Sequence, residues 1–391
     1  MNPGITIFGA PVGLYTGKVR CYLRKQGIPY VEALPGDPRF QKIVLPAIGR
    51  FQNPVLMTDD GEIVQDTADI IDWCETRGLG RMSVYPETPL QKLAALTLDL
   101  FGGEGLVRAA MHYRWSFRSY QERFIAHEFG LSMRAFGASD EDMAARIGPM
   151  MDYFNGHLPM LGVTADAIPA IEESYEALAE LLNVHFRHHP YLLGGRPTCA
   201  DFGFIASLWA HLGRDPYPAD MMKRRWTSLY RWVERMNAND PDTPEFPNYP
   251  YALTGDDRLP ETLLPIFAHI ASDFLPEISM AVDVINAWLA AHPDAQGGQL
   301  AASSPDGRGF KGREFMLRGR PVLGHVSGYK VCMLQRVTDF HAGMDEASRN
   351  MSRSYFDSAG LTPLLDLRAS RRIKRENHRE VWGPPSLPSE Q

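Results

Sequence analysis

Residues 51–75, FQNPVLMTDDGEIVQDTADIIDWCE, read as strand, tight turn, strand and helix. Val55, Leu56 and Met57 make a short apolar strand. Asp59-Asp60-Gly61 is an Asp-Gly turn of the kind that closes hairpins, because glycine accepts the positive φ such turns need. Ile63 and Val64 begin the return strand, and Pro54 stands at the first position of its strand, where a missing N–H is tolerated. Asp66 and Thr67 cap a helix whose apolar face is Ile70, Ile71, Trp73 and Cys74. A helix start of this kind offers free N–H groups to a carboxylate, and the Asp66 carboxylate can pair an ammonium. An ordinary capped helix after a hairpin has the same local pattern.

Upstream, Ile5, Thr6, Ile7 and Phe8 form a first strand ended by Gly9 and Pro11. Residues 15–26 read as a helix with Val19, Tyr22 and Leu23 on one face, stopped by Gly27-Ile28-Pro29. Residues 30–33 are a second strand, 38–44 are weakly helical and 46–52 are a loop. The predicted order is β-α-β-α-β-β-α.

Asn53-Pro54, the hairpin and Gln65-Asp66-Thr67 at the helix start, in this order of elements, closely resemble the glutathione-binding, thioredoxin-like domain of the glutathione S-transferase superfamily. The resemblance implies that Pro54 is cis and that Asn53 offers its backbone to the glutathione cysteine. It also implies that Gln65, Asp66 and Thr67 hold the γ-glutamyl carboxylate and amine.

From residue 89 to about 239 the periodicity is purely helical, with helices expected over residues 90–113, 120–136, 141–154, 165–185, 198–212 and 219–236. Thr198-Cys199-Ala200-Asp201 is a capping box before the apolar run Phe202 to Ala206. With the preceding Tyr191-Leu192-Leu193-Gly194-Gly195-Arg196-Pro197, it looks like the signature of the superfamily's all-helical second domain, where the box is a folding element. The expected organisation is therefore a thioredoxin-like domain over 1–80, an all-helical substrate domain over 89–239 and an atypical, mainly helical extension over 251–391. The fold class is α+β, mostly α. A proline-rich linker over 240–250 leads into the extension. Helices are expected there over 263–274, 276–291 and 329–344, with a glycine-rich loop over 297–312. A hairpin of 314–317 with 321–325 turns across Arg318-Gly319-Arg320, and residues 367–380 read as a basic helix or extended arm.

Composition narrows the function classes. The chain has 391 residues, room for two or three domains, and its 44% apolar and 22% charged shares are those of an ordinary soluble globular protein. A net charge of −7 argues against nucleic acid as main partner. There is no run of about 18 apolar residues, so no membrane span is expected. The N-terminus lacks the basic and apolar regions of a secretion signal. Cys21, Cys74, Cys199 and Cys332 lie far apart and read as small buried residues of a reducing, cytoplasmic setting.

In the superfamily the catalytic group stabilises or supplies a thiolate at the start of the first helix, where the helix terminus lowers a thiol pKa. Aligning Lys18-Val19-Arg20 with the family's basic-apolar-basic pattern puts Gly13 where several classes carry Ser or Cys. No cysteine precedes the helix, so thiol-disulfide exchange of that type is not expected. Tyr15 and Thr16 are left as hydroxyl donors, with capping as the plain alternative. Lys42 and Arg50, more than Arg39, are expected at the glycyl carboxylate, against ordinary surface charge as the alternative. Arg108, His112 and Arg114, in the aromatic and basic cluster 111–117, are candidates for the acceptor substrate; helix packing with an arginine stacked on Trp115 is the alternative. His185, His188 and His189 form a loose cluster better explained by a helix C-terminus than by a metal, and no metal is expected. The arm with Arg368, Arg371, Arg372, Lys374, Arg375 and Arg379 also carries Glu376 and Glu380, so a solvated tail is its default reading.

The resulting expectation is a glutathione S-transferase-like enzyme, concerned with detoxification, that takes glutathione as co-substrate and conjugates its thiol to a small electrophilic, apolar substrate. Glutathione-dependent isomerase, dehalogenase or ether-cleaving chemistry shares the same site. A non-catalytic binding or assembly module on the same fold is the alternative: Gly13 favours it, and the Asp66-Thr67 pair opposes it. A homodimer is what the family implies, unless the extension covers the dimer surface.

Overall fold

The computed structural model describes residues 4–134, 139–239, 241–304, 307 and 309–386. The expected helix end at 136, Asp240 at the head of the linker and parts of the 297–312 loop lie outside them.

The N-terminal part runs β1 (Ile5–Phe8), α1 (Leu14–Gln26), β2 (Val31–Ala33), α2 (Leu45–Ile48), β3 (Val55–Thr58), β4 (Ile63–Gln65) and α3 (Thr67–Thr76). A π-helical turn, Phe40–Val44, enters α2. The sheet order is β2-β1-β3-β4, with β1 and β2 parallel and the other pairs antiparallel. Thr6 pairs with Val31 and Met57, and Leu56 with Val64. This is the thioredoxin-like order expected from the sequence, and the Asn53–Pro54 bond is cis.

The helical part runs α4 (Pro89–Leu100), α5 (Val107–Trp115), α6 (Arg118–Arg134), α7 (Asp140–Gly156), α8 (Ile168–His188), α9 (Cys199–Ala210), α10 (Pro216–Arg225) and α11 (Thr227–Asn237). The single helix expected over 90–113 is two, because Phe101–Gly105, FGGEG, forms a π-helical turn between α4 and α5. Glycine stabilises a regular helix poorly, and here it also permits a close crossing. A Cβ on Gly102 would lie 2.5 Å from the Gly203 carbonyl carbon, so α9 can approach only a bare backbone. The helix expected over 219–236 likewise breaks at Trp226, between α10 and α11.

Helix α9 is the central strut. It is buried along nearly its whole length and packs on both α1 and α4. The Tyr22 and Phe202 rings meet edge-on at 5.4 Å. The Lys18 ammonium reaches Asp99 on α4 at 2.7 Å, with both side chains buried. Burial of each large apolar side chain here is worth about 1.5–3 kcal/mol.

The C-terminal part contains α12 (Leu264–Asp273), α13 (Leu275–Ala291), β5 (Glu314–Leu317), β6 (Arg320–Leu323), α14 (Gly328–Ala342), α15 (Glu346–Ser358), α16 (Thr362–Asp366), β7 (Arg371–Glu376) and β8 (Arg379–Pro385). The β5–β6 hairpin pairs as its sequence predicts, turning at Arg318 and Gly319, both at positive φ. Residues 367–380, expected as a solvated basic arm, instead enter the β7–β8 hairpin, with Ile373 and Trp382 buried. The alternation Arg372-Ile373-Lys374 is a strand pattern that the run of basic residues obscures. No single helix among the described residues is long and apolar enough to cross a membrane.

Candidate functional site

The start of α3 carries the first group of candidates. Asp66 is its N-cap at φ 96°, and its Oδ1 accepts from the Ala68 N–H at 2.9 Å. A non-glycine residue at such a φ is uncommon; here it turns the chain so that Gln65, Asp66 and Thr67 lie together where β4 enters α3. Gln65 and Thr67 are buried and Asp66 half-buried.

The start of α1 carries the second group. Gly13 is its N-cap and contributes no side chain. The buried Thr16 hydroxyl lies 3.4 Å from the Asn53 side-chain oxygen, next to the cis peptide bond. Tyr15 points elsewhere. Its phenol donates to the Gly103 carbonyl at 3.3 Å and to Glu104 Oε1 at 3.4 Å, both in the π-helical turn after α4. Burial, then Glu104 and Asp66, push the Tyr15 phenol well above its usual range, so it remains a proton donor. Tyr329 of α14 closes the group: burial and the facing Asp66 and Glu104 carboxylates raise its phenol too. Tyr15, Asp66, Glu104 and Tyr329 are all half-buried and lie close enough to shift one another's titration where α1, α3, the π-helical turn and α14 meet.

Glu104 was invisible in the sequence reading, although the glycines around it mark the break that presents it. Burial is the main cause that lifts its carboxyl to about 7. Asp66 and Glu277 add to the rise, and Lys330 and Lys18 oppose it. A carboxyl with a higher pKa folded than unfolded stabilises the fold below its unfolded value and loses that contribution as pH rises through the folded value. The window here is pH 4.5 to about 7. Glu104→Gln is therefore expected to be more stable than the wild type by about 1–2 kcal/mol near pH 7.5 and equal to it near pH 4.5, as read by urea denaturation at the two pH values.

The cation candidates separate. Arg50 donates to the His378 carbonyl at 2.9 Å and lies 3.4 Å from both Glu380 and Gln65 Oε1, so it faces the C-terminal hairpin. Arg39 pairs with Asp37 at 2.9 Å. Lys42 is exposed on the π-helical turn before α2.

Each acceptor candidate is engaged by partners of its own. Arg114 is buried and donates to both Asp215 oxygens at 2.6 and 2.7 Å and to the Val12 and Ala210 carbonyls, which makes it a packing strut. Arg108 donates to the Leu161 carbonyl at 2.8 Å and to Glu277 at 2.9 Å. The His112 ring sits 2.9 Å from Glu172 and 2.8 Å from Ser116. The surrounding aromatics pack on one another: Phe117 stacks on Tyr217 at 3.7 Å, and Trp115 on Phe154 at 6.2 Å. Local sequence cannot show this, because Asp215 and Glu277 lie more than 100 residues from their arginines.

The other chemistry-bearing residues are inert by environment. Burial pushes the Cys21, Cys74 and Cys332 thiols up to about 12, although Cys332 is only half-buried rather than buried as expected. His185 lies 2.8 Å from the Thr262 hydroxyl, and burial holds its ring at about 3. Among the described residues no group of His, Cys, Asp or Glu is arranged to hold a metal ion.

Two family profiles match this architecture: the glutathione S-transferase N-terminal domain over residues 7–79 and the C-terminal domain over residues 163–240. The chain carries both domains of the glutathione S-transferase superfamily. Its thioredoxin-like and helical parts are the two domains of that superfamily, and the region beyond residue 240 lies outside both profiles. Similar solved structures include a glutathione S-transferase from Methylobacterium radiotolerans in complex with glutathione sulfonate, at 21% identity over 66% of this chain and 99% of that one, TM-score 0.36. They also include Gtt2 from Saccharomyces cerevisiae, at 16% identity over 61% and 98%, TM-score 0.33. The β-etherase LigF from Sphingobium sp. matches at 17% identity over 61% and 96%, TM-score 0.38. No curated protein sequence matches.

Proposed function

We propose that this superfamily member binds glutathione where α1 and α3 begin and transfers its thiol sulfur to a small electrophilic, apolar substrate. The observation that carries the reading is the conjunction, in a chain of this family, of Gln65, Asp66 and Thr67 at the α3 N-terminus with Thr16 beside Asn53 at the α1 N-terminus. The first-turn N–H groups of α3 and the Thr67 hydroxyl suit the γ-glutamyl carboxylate. Asp66 suits the ammonium, and exposed Lys42 suits the glycyl carboxylate.

The sulfur then lies near Asn53. The first-turn N–H groups of α1 and the Thr16 hydroxyl stabilise it as thiolate without a protein cysteine. The thiolate attacks an electrophilic carbon, a C–S bond forms, and the displaced pair leaves with the leaving group or is protonated after addition. Tyr15, hydrogen-bonded to Glu104 rather than directed at Asn53, serves the acceptor side of the site as a proton donor. A binding or assembly module remains the alternative in view of Gly13.

Calorimetric titration with glutathione tests the reading. Asp66→Ala removes a charge-assisted contact worth about 1.5–3 kcal/mol, so binding is expected to weaken ten- to hundredfold. Absence of wild-type binding at millimolar glutathione overturns the reading. Binding without turnover of any electrophile in a screen moves it to the binding module.

A further inference from the structure

The C-terminal hairpin reaches the same site from the other end of the sequence. Arg375 of β7 donates through Nη2 to the Gln65 carbonyl at 3.0 Å and to Gln65 Oε1 at 2.8 Å. Its Nε donates to Asp69 of α3 at 2.7 Å, and Nη1 pairs with Glu380 of β8. Glu380 also holds Arg50, whose Nη2 lies 3.4 Å from the same Gln65 oxygen. The Arg375 guanidinium lies over the Tyr329 ring at 5.7 Å.

A guanidinium only donates, so the Gln65 oxygen must face the two arginines and the amide nitrogen must face away from them. That nitrogen has no partner among the described residues. Asp66, next to Gln65, is only half-buried, so the hairpin does not close over it.

We propose that Arg375 is a positioning residue of the glutathione site: it fixes the Gln65 carboxamide so that its N–H group is already presented to the γ-glutamyl carboxylate. The inference rests on the function proposed above. Side chains of the glutamine kind lose substantial rotamer freedom when they bind, and a side chain fixed beforehand avoids that loss. The residue family comparison would pass over is thus supplied by the region outside both family domains.

The test is a double-mutant cycle on the full chain, read by glutathione titration, with thermal denaturation to verify folding. Arg375→Met is expected to weaken glutathione binding about tenfold and to have no further effect in a Gln65→Met background. Arg375→Lys, which keeps the charge but cannot reach Gln65 and Asp69 together, is expected to behave like Arg375→Met and serves if the latter misfolds. Unchanged binding in the arginine variants overturns the proposal. Equal weakening in both backgrounds overturns it as well, because Arg375 would not be acting through Gln65. Tighter binding overturns it in favour of a hairpin that obstructs the site. If the wild type binds and Asp66→Ala does not while Arg375 is silent, only this inference falls; if the wild type does not bind, the proposed function falls with it.

Discussion

Replacing Glu277 by alanine is expected to lower folding stability by about 3–5 kcal/mol. Its carboxylate is buried on α13 between Arg108 of α5, at 2.9 Å, and Lys330 of α14, at 2.7 Å. Burial alone would raise this carboxyl, but the two cations outweigh it and hold it at about 2. Removing the anion strands two cations away from water, and that penalty, more than the lost attraction, sets the size of the effect. The sign with pH follows. A carboxyl with its folded value below its unfolded value contributes stability above about 4.5 and loses it as pH falls toward 2. Wild-type stability, measured by urea denaturation, should fall between pH 5 and 3, and Glu277→Ala should show a shallower fall. Replacing all three residues by apolar side chains of similar size should recover most of the loss. A Glu277→Ala change under 1 kcal/mol at pH 7 would show that water reaches the triad.

Asp201→Ala is expected to cost about 3–4 kcal/mol. The side chain is fully buried and accepts from the Thr198 N–H at 2.9 Å, the Leu192 N–H at 3.0 Å and the Trp232 indole at 3.2 Å. It therefore does more than cap α9: it ties the preceding loop and α11 to that helix. A cap alone is worth about 1 kcal/mol, so the measured value separates the two roles. Denaturation followed by Trp fluorescence gives it. Asp201→Asn keeps one acceptor but brings an N–H against donors, and should recover only part of the loss.

How much of this could be read beforehand depends on the sequence distance of each partner. The strand, Asp-Gly turn and capped helix of residues 51–75 are fixed by neighbours a few positions away, and they appear with the expected order and pairing. The Thr198–Asp201 box is equally local, though its bond to Trp232 is not. The failures share a cause. Arg114 and Arg108 read as candidates for the acceptor substrate because their acids lie far away in the sequence. The basic arm looked solvated because the acidic partner of Arg375 on α3, Asp69, is 306 positions away. The split between α4 and α5 was signalled by Gly102, Gly103 and Gly105, but an apolar helix tolerates a glycine often enough that the periodicity prevailed.

The reach of Arg375 to Gln65 across 310 positions also bears on the order in which the protein is made. Domains fold largely as they emerge, the N-terminal ones first, so the sheet and the helical bundle can assemble on a nascent chain that still lacks β7. The hydrogen bonds from Arg375 to Gln65 must wait until β7 has been made. During synthesis the folded body therefore exists before the start of α3 has all of its contacts.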